Sequence, residues 1–154
     1  MKLCVTSGRN ARRAALKAVM GDSQSNFRME ITNVSTADGV KMEDFMPVLV
    51  GVDPDSWILS PEATARSIPD CTAAIVTIGW LGTICNLCLF RKLADKCGAK
   101  LISDSAQSFG AIDGKPPALD LADVTIYSTS YQLPESLPHR RVGWHCGLFA
   151  VLGR

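Results

Sequence analysis

Residues 100–111 read Lys100-Leu101-Ile102-Ser103-Asp104-Ser105-Ala106-Gln107-Ser108-Phe109-Gly110-Ala111. A short apolar run ends in an aspartate, and a glutamine follows three residues later, before a glycine. A run of this kind, bounded by turn residues, predicts a buried strand over residues 100–104. An acidic group at the carboxyl end of such a strand stands where open α/β sheets bind their ligands. The alternative for Asp104 is a surface turn, in which its carboxylate only accepts from nearby backbone amides.

Outward from this strand, helical and strand patterns alternate. Residues 87–97 carry helical spacing closed by Gly98, and residues 73–78 form a buried strand. Ser60-Pro61-Glu62 starts a helix, with an N-cap serine and a proline at the first helical position, that ends near Ile68-Pro69. Residues 47–52 are another apolar strand, followed by the turn Asp53-Pro54-Asp55-Ser56. Nearer the start, residues 3–6 favour a strand and Ser7-Gly8 a turn. Residues 10–20 then place Ala11, Ala14, Ala15, Ala18 and Val19 at helical spacing. Residues 22–33 are poorly patterned, with one strand expected around 28–32, and Ser35-Thr36 caps a short helix running to about Phe45. On the far side, residues 124–128 form the next strand. The alternation predicts an α/β fold, a three-layer α/β/α sandwich around a mostly parallel sheet.

The 154 residues suffice for one domain with a sizeable core. A net charge of +1 gives no electrostatic case for nucleic acid or an anionic membrane. No apolar run approaches ~18 residues, so no transmembrane helix is expected. Met1-Lys2-Leu3-Cys4-Val5-Thr6-Ser7-Gly8 turns polar too early for a signal peptide, so a cytoplasmic location is expected. Six cysteines, at 4, 71, 85, 88, 97 and 146, are then read as thiols. Cys85 and Cys88 are spaced as a CxxC, but no second pair stands at zinc-site spacing, so no metal is expected. Two readings remain for that pair: a redox dithiol at a helix start, or small apolar residues on a buried helix face.

Four segments together resemble the large domain of the DegT/DnrJ/StrS sugar aminotransferases, fold-type I enzymes that use pyridoxal 5′-phosphate (PLP). They are Val5-Thr-Ser-Gly-Arg-Asn-Ala-Arg-Arg-Ala-Ala-Leu16; Pro47-Val-Leu-Val-Gly-Val-Asp-Pro-Asp-Ser-Trp57; Ile102-Ser-Asp-Ser-Ala-Gln-Ser-Phe-Gly-Ala111; and Ala122-Asp-Val-Thr-Ile-Tyr-Ser128. Their order and spacing match as well. The resemblance implies that Asp104 keeps the pyridine nitrogen protonated, the condition for PLP to act as an electron sink, and that Gln107 lies near the ring. It assigns the phosphate to Gly8, Arg9 and Asn10 at a helix start, with Ser128; Arg9 replaces a small hydroxyl residue and either pairs with the phosphate or fills its space. For Ser128 a plain strand-end cap is the alternative. The implied partners are a keto-sugar nucleotide and an amino-acid donor, with a homodimer or self-association.

The departures are as informative as the matches. The family places its Schiff-base lysine about five residues after the strand serine, which here leads to Leu133 beside Gln132, and no lysine follows Lys115. Such a lysine holds the cofactor and moves the proton, and general acid–base work alone contributes about 10²–10⁴-fold. Asn33 stands where an aromatic ring stacks on the cofactor, and Gly51 where an aspartate is usual. No C-terminal domain follows. PLP is therefore expected to bind non-covalently or not at all, and the catalytic set to be empty. The organisation expected is an incomplete PLP-transferase large domain over residues 1–131 and an atypical tail over 132–154. That tail holds both histidines, three arginines and no lysine or aspartate. With suitable codons, a frame shifted by one base turns Glu135-Ser136 into a lysine and Arg140-Arg141 into Gly-Gly, so an out-of-frame terminus is one expectation. A sheet lacking its later strands would leave an open edge. The readings carried forward are an impaired aminotransferase, a non-catalytic binding or interaction remnant, and a thiol redox module.

Overall fold

The structure, a computed structural model, describes residues 2–5, 7–20, 26–30, 34–68, 72–108, 111, 118–128 and 148–152. Twelve elements follow one another: β1 (Lys2–Val5), α1 (Gly8–Met20), β2 (Asn26–Glu30), α2 (Val34–Lys41), β3 (Met46–Val50), α3 (Pro61–Ser67), β4 (Thr72–Ile78), α4 (Leu87–Cys97), β5 (Lys100–Asp104), α5 (Ala118–Leu121), β6 (Val124–Tyr127) and β7 (Leu148–Leu152). The described strands form one seven-stranded sheet in the order β1-β7-β6-β5-β4-β2-β3. The run from β6 to β3 is parallel throughout, and β7 runs antiparallel to both its neighbours. The α/β sandwich with a mostly parallel sheet is thus the observed fold.

Local chemistry explains several boundaries. Ser60 accepts the Ala63 N–H at 3.1 Å as N-cap of α3, with Pro61 at its first position. Gly98 closes α4 at φ 69°, a left-handed cap that glycine adopts without a Cβ clash. α2 stops at Lys41 rather than near Phe45. Asp44 at φ 60° turns the backbone there, and the Phe45 N–H returns to the Val40 carbonyl at 3.2 Å, bringing the ring into the core. β2 lies about two residues earlier than expected.

Helices cover both faces. α1 and α2 bury Ala11, Ala15, Leu16, Val40 and Phe45 against Val76, Ile102, Val124 and Ile126. On the other face α3, α4 and α5 enclose Leu59, Ile75, Phe90, Ala94, Leu101 and Ala122. Strands buried on both sides lose the apolar–polar alternation, which is why residues 73–78, with Ala73-Ala74-Ile75-Val76, and 100–104, with Leu101-Ile102, are legible.

The tail over residues 132–154, expected to be atypical, contributes one described strand. Leu148–Leu152 lies within the tail and forms β7, seated between β1 and β6 with Val5 opposite Leu148 and Tyr127 opposite Phe149. β6 therefore has no open side, and the sheet edges are β1 and β3. Edge β3 carries Pro47, whose missing N–H is tolerated only at an edge, and its Met46 and Leu49 are exposed.

Two carboxylates link helices to the sheet region. Glu43 pairs with Arg13 and Lys17 of α1, and the Arg13 hydrogen bond is the main cause that holds its pKa below the ordinary value. Asp123 accepts from the Leu101 N–H and from Arg91 Nη1, each at 2.8 Å. Burial works to raise its pKa, and these hydrogen bonds overcome that to lower it. A depressed carboxylate adds stability above its unfolded value and loses it as pH falls through the folded value. The unfolding midpoint is therefore expected to fall below about pH 4, and Glu43→Gln and Asp123→Asn should each flatten that acid limb in thermal melts. Removing residues 148–154 separates β1 from its described sheet partner. Faster amide exchange in β1 and more association in ultracentrifugation are expected, and unchanged behaviour would contradict the pairing.

Candidate functional site at the carboxyl ends of the strands

The strands β4, β5 and β6 end together, and the backbone fastens their exits. The Gly79 N–H donates to the Asp104 carbonyl at 2.9 Å, and the Ser105 N–H donates to the Ile126 carbonyl at 2.8 Å. Asp104 opposes Ile126 in the parallel register. By strand alternation Asp104 shares the α1 face of the sheet with Ile102, Val124 and Ile126, and Ser128 continues that alternation past β6. The alternative of a surface turn is excluded for Asp104, which is 0% exposed. Ser128 is buried too.

The structure adds a residue that the motif did not reveal. Arg12 Nε donates to Asp104 Oδ2 at 2.7 Å, with the Arg12 side chain only 14% exposed. The other carboxylate oxygen, Oδ1, accepts the Ala106 N–H at 3.1 Å. A sequence signal for Arg12 exists in retrospect. Gly8, Arg12 and Leu16 share one helical stripe, and Leu16 is buried, so an arginine one turn earlier points toward the same interior and needs an anion there.

The other expected residues divide into two groups. Gly8, Arg9 and Asn10 form the first turn of α1. Ser7 caps that turn, its Oγ accepting the Asn10 N–H at 3.3 Å, and Arg9 and Asn10 are exposed. Gln107 is committed elsewhere: its Oε1 accepts the Leu81 N–H at 3.2 Å. Leu81 at φ 48° and Gly82 at φ 86° form a tight left-handed turn, closed by the Thr83 N–H on the Trp80 carbonyl at 2.8 Å. Leucine rarely adopts this conformation, and the Gln107 side chain helps hold it. Gly51 is exposed and a Cβ there would meet nothing within 4 Å. Asn33, Gln132 and Leu133 lie outside the described residues.

Cys85 and Cys88 straddle the start of α4. Cys85 is buried and its Sγ donates to the Ile78 carbonyl at 3.3 Å, while Asn86 is the N-cap. Both cysteines are free thiols. Cys85 packs with Leu87 and Phe90 in the core, as the packing reading has it, but from the loop before the N-cap and not from a helix face, and Cys88 is half-buried.

With the geometry in view, the comparisons decide the family. Residues 2–130 match the DegT/DnrJ/EryC1/StrS aminotransferase family. The chain belongs to that family. It is 35% identical over 81 residues to L-glutamine:2-deoxy-scyllo-inosose aminotransferase of Streptomyces kanamyceticus, an alignment covering 53% of this chain and 19% of that protein. It is 35% identical over 80 residues to UDP-2-acetamido-2-deoxy-3-oxo-D-glucuronate aminotransferase of Pseudomonas aeruginosa, covering 52% and 22%. Among solved structures, the aminotransferase from Psychrobacter cryohalolentis superimposes with a TM-score of 0.82 at 20% identity, covering 100% of this chain and 37% of that one. The Helicobacter pylori aminotransferase involved in the biosynthesis of pseudoaminic acid gives 0.81 at 20%, covering 99% and 40%. The chain thus spans about a fifth of the two sequence relatives and about two fifths of the two solved chains. No helix among the described residues is long and apolar enough to cross a membrane.

Gly79 packs against the same loop. A Cβ at this position would stand 2.2 Å from Ser108 Oγ, 2.7 Å from Ser108 Cβ and 3.2 Å from the Thr83 carbonyl. Gly79→Ala is expected to destabilise the protein by about 1–3 kcal/mol, the cost of overpacking, measured by denaturant unfolding. Alkylation of the native protein should modify exposed Cys4 well before Cys85. A reactive Cys85 trapped as a mixed disulfide would instead support a redox role.

Proposed function

We propose that this chain is a sugar-aminotransferase relative that does not carry out amino transfer as it stands. The observation that carries the reading is the sequence at the Schiff-base position: Leu133 and Gln132 stand there, and no lysine follows Lys115. Neither side chain can bond the cofactor covalently or take and return a proton.

PLP, when bound in this family, supplies an electron sink through its protonated ring nitrogen. The residues present do not fit that arrangement. Asp104 has no exposed surface, and both its oxygens already accept from Arg12 and Ala106. Gln107 is likewise engaged, on the Leu81 amide. Gly8, Arg9 and Asn10 retain the helix-start geometry suited to a phosphate, with Ser128 assigned to the same role by resemblance, so a weak non-covalent anion contact is the most this end of the sheet offers. On this reading the keto-sugar nucleotide and amino-acid donor belong to ancestry. The substrate class is suggested by relatives named for L-glutamine and for a UDP-linked 3-oxo sugar acid.

The test is chemical. After incubation with PLP and borohydride, mass spectrometry is expected to find no lysine-linked adduct. A coupled assay with L-glutamine and a UDP-linked keto sugar is expected to show no transfer above the protein-free rate. A specific reduced adduct, or turnover, would overturn the proposal.

A further inference from the structure

We propose that Asp104 and Gln107 now form a cofactor-independent structural clamp, in which Arg12 has replaced the ring nitrogen of PLP as the partner of Asp104. The inference rests on the inactivity reading above and adds what these residues do instead.

A fully buried Asp104 requires charge compensation and hydrogen bonds. Arg12 supplies both from α1, and the Ala106 N–H completes the set from the loop. In a cofactor-dependent site that compensation would arrive with the ligand. Here it is encoded ninety-two residues earlier in the same chain.

A guanidinium and a pyridinium are both cations, and one carboxylate serves the two poorly. Arg12 beside a ring nitrogen disfavours the protonated ring on which the electron sink depends. Gln107, the other side chain of the motif, also turns toward protein, holding the strained Leu81–Gly82 turn through the Leu81 amide. Three segments are joined in this way: α1 through Arg12, the end of β5 through Asp104 and Ala106, and the loop after β4 through Gln107 and Leu81.

The experiment uses the full chain with Arg12→Leu, Asp104→Leu, the double variant and Asp104→Asn, each melted with and without PLP and titrated with PLP by difference absorbance. Wild type is expected to show no PLP-dependent rise in midpoint and no saturable absorbance change. Arg12→Leu and Asp104→Leu should each lower the midpoint by several degrees, because each strands a buried partner. The double variant should recover part of that loss, because it leaves neither charge of the pair unmatched. Unchanged midpoints in the single variants would overturn the clamp. So would saturable PLP binding by wild type that Asp104→Asn abolishes, since Asp104 would then serve the ring, and this wild-type titration decides even where a variant fails to fold. That second result leaves the inactivity reading standing. A borohydride-trapped lysine would overturn the inactivity reading and leave the clamp to be judged by the melts.

Discussion

A carboxylate with no exposed surface at the end of β5 constrains everything near it. Burying Asp104 unpaired would cost several kcal/mol, so its neighbours are arranged to prevent that. The Arg12 guanidinium fixes how far α1 slides along the sheet, because Nε has to reach within 2.7 Å of Oδ2. The Ala106 amide fixes the first turn of the following loop. The Asp104 carbonyl takes the Gly79 N–H, which sets the exit of β4. One residue thereby holds the sheet, a helix and two loops in a single arrangement. The pair also couples the apolar packing of Ala11, Ala15 and Leu16 to the strand ends, since these residues share α1 with Arg12.

What the sequence reveals here follows the range of the interactions involved. The start of α3 is legible because Ser60 and Pro61 act on their own backbone, and the end of α4 because Gly98 meets a local steric requirement. β4 and β5 are legible because burial on both faces removes the alternation and leaves the apolar stretches Ala73–Val76 and Leu101–Ile102. The end of α2 is not, since it depends on Asp44 adopting a left-handed conformation that aspartate permits but does not announce. Nor is the Arg12–Asp104 pair, whose members lie ninety-two residues apart. Arginine on a helix is ordinarily solvated, and only the buried Leu16 one turn later marks this one as different. The motif made Asp104 and Gln107 conspicuous but gave no sign of which groups they would meet.

β7 shows the same limit in another form. Leu148–Leu152 is a five-residue apolar segment among sequence without helical or strand period, and its partners are the first strand and the sixth. A place between two existing strands asks for apolar residues that can extend and pair their backbone, and asks little of their identity. The last strand can therefore be filled by a segment that lies beyond residues 2–130, the part that matches the family. Sheet completion and retention of the lysine are separable demands, and this tail supplies a strand but no lysine.

That separation bears on how a domain outlives its chemistry. The two apolar clusters hold the sandwich from opposite faces, and Phe90, Ile75, Leu101 and Ile126 in them are buried without reference to any ligand. On the proposed reading, the missing lysine takes a reactive group from the strand ends and leaves those clusters intact. The buried aspartate is different, because it becomes a liability once no cationic ligand sits on it. Arg12 answers that liability from within the fold, at the cost of the position a ring nitrogen would need. On that proposal, a site that neutralises its own charge gains stability from residues freed from catalysis, and function and fold separate without either motif residue having to change.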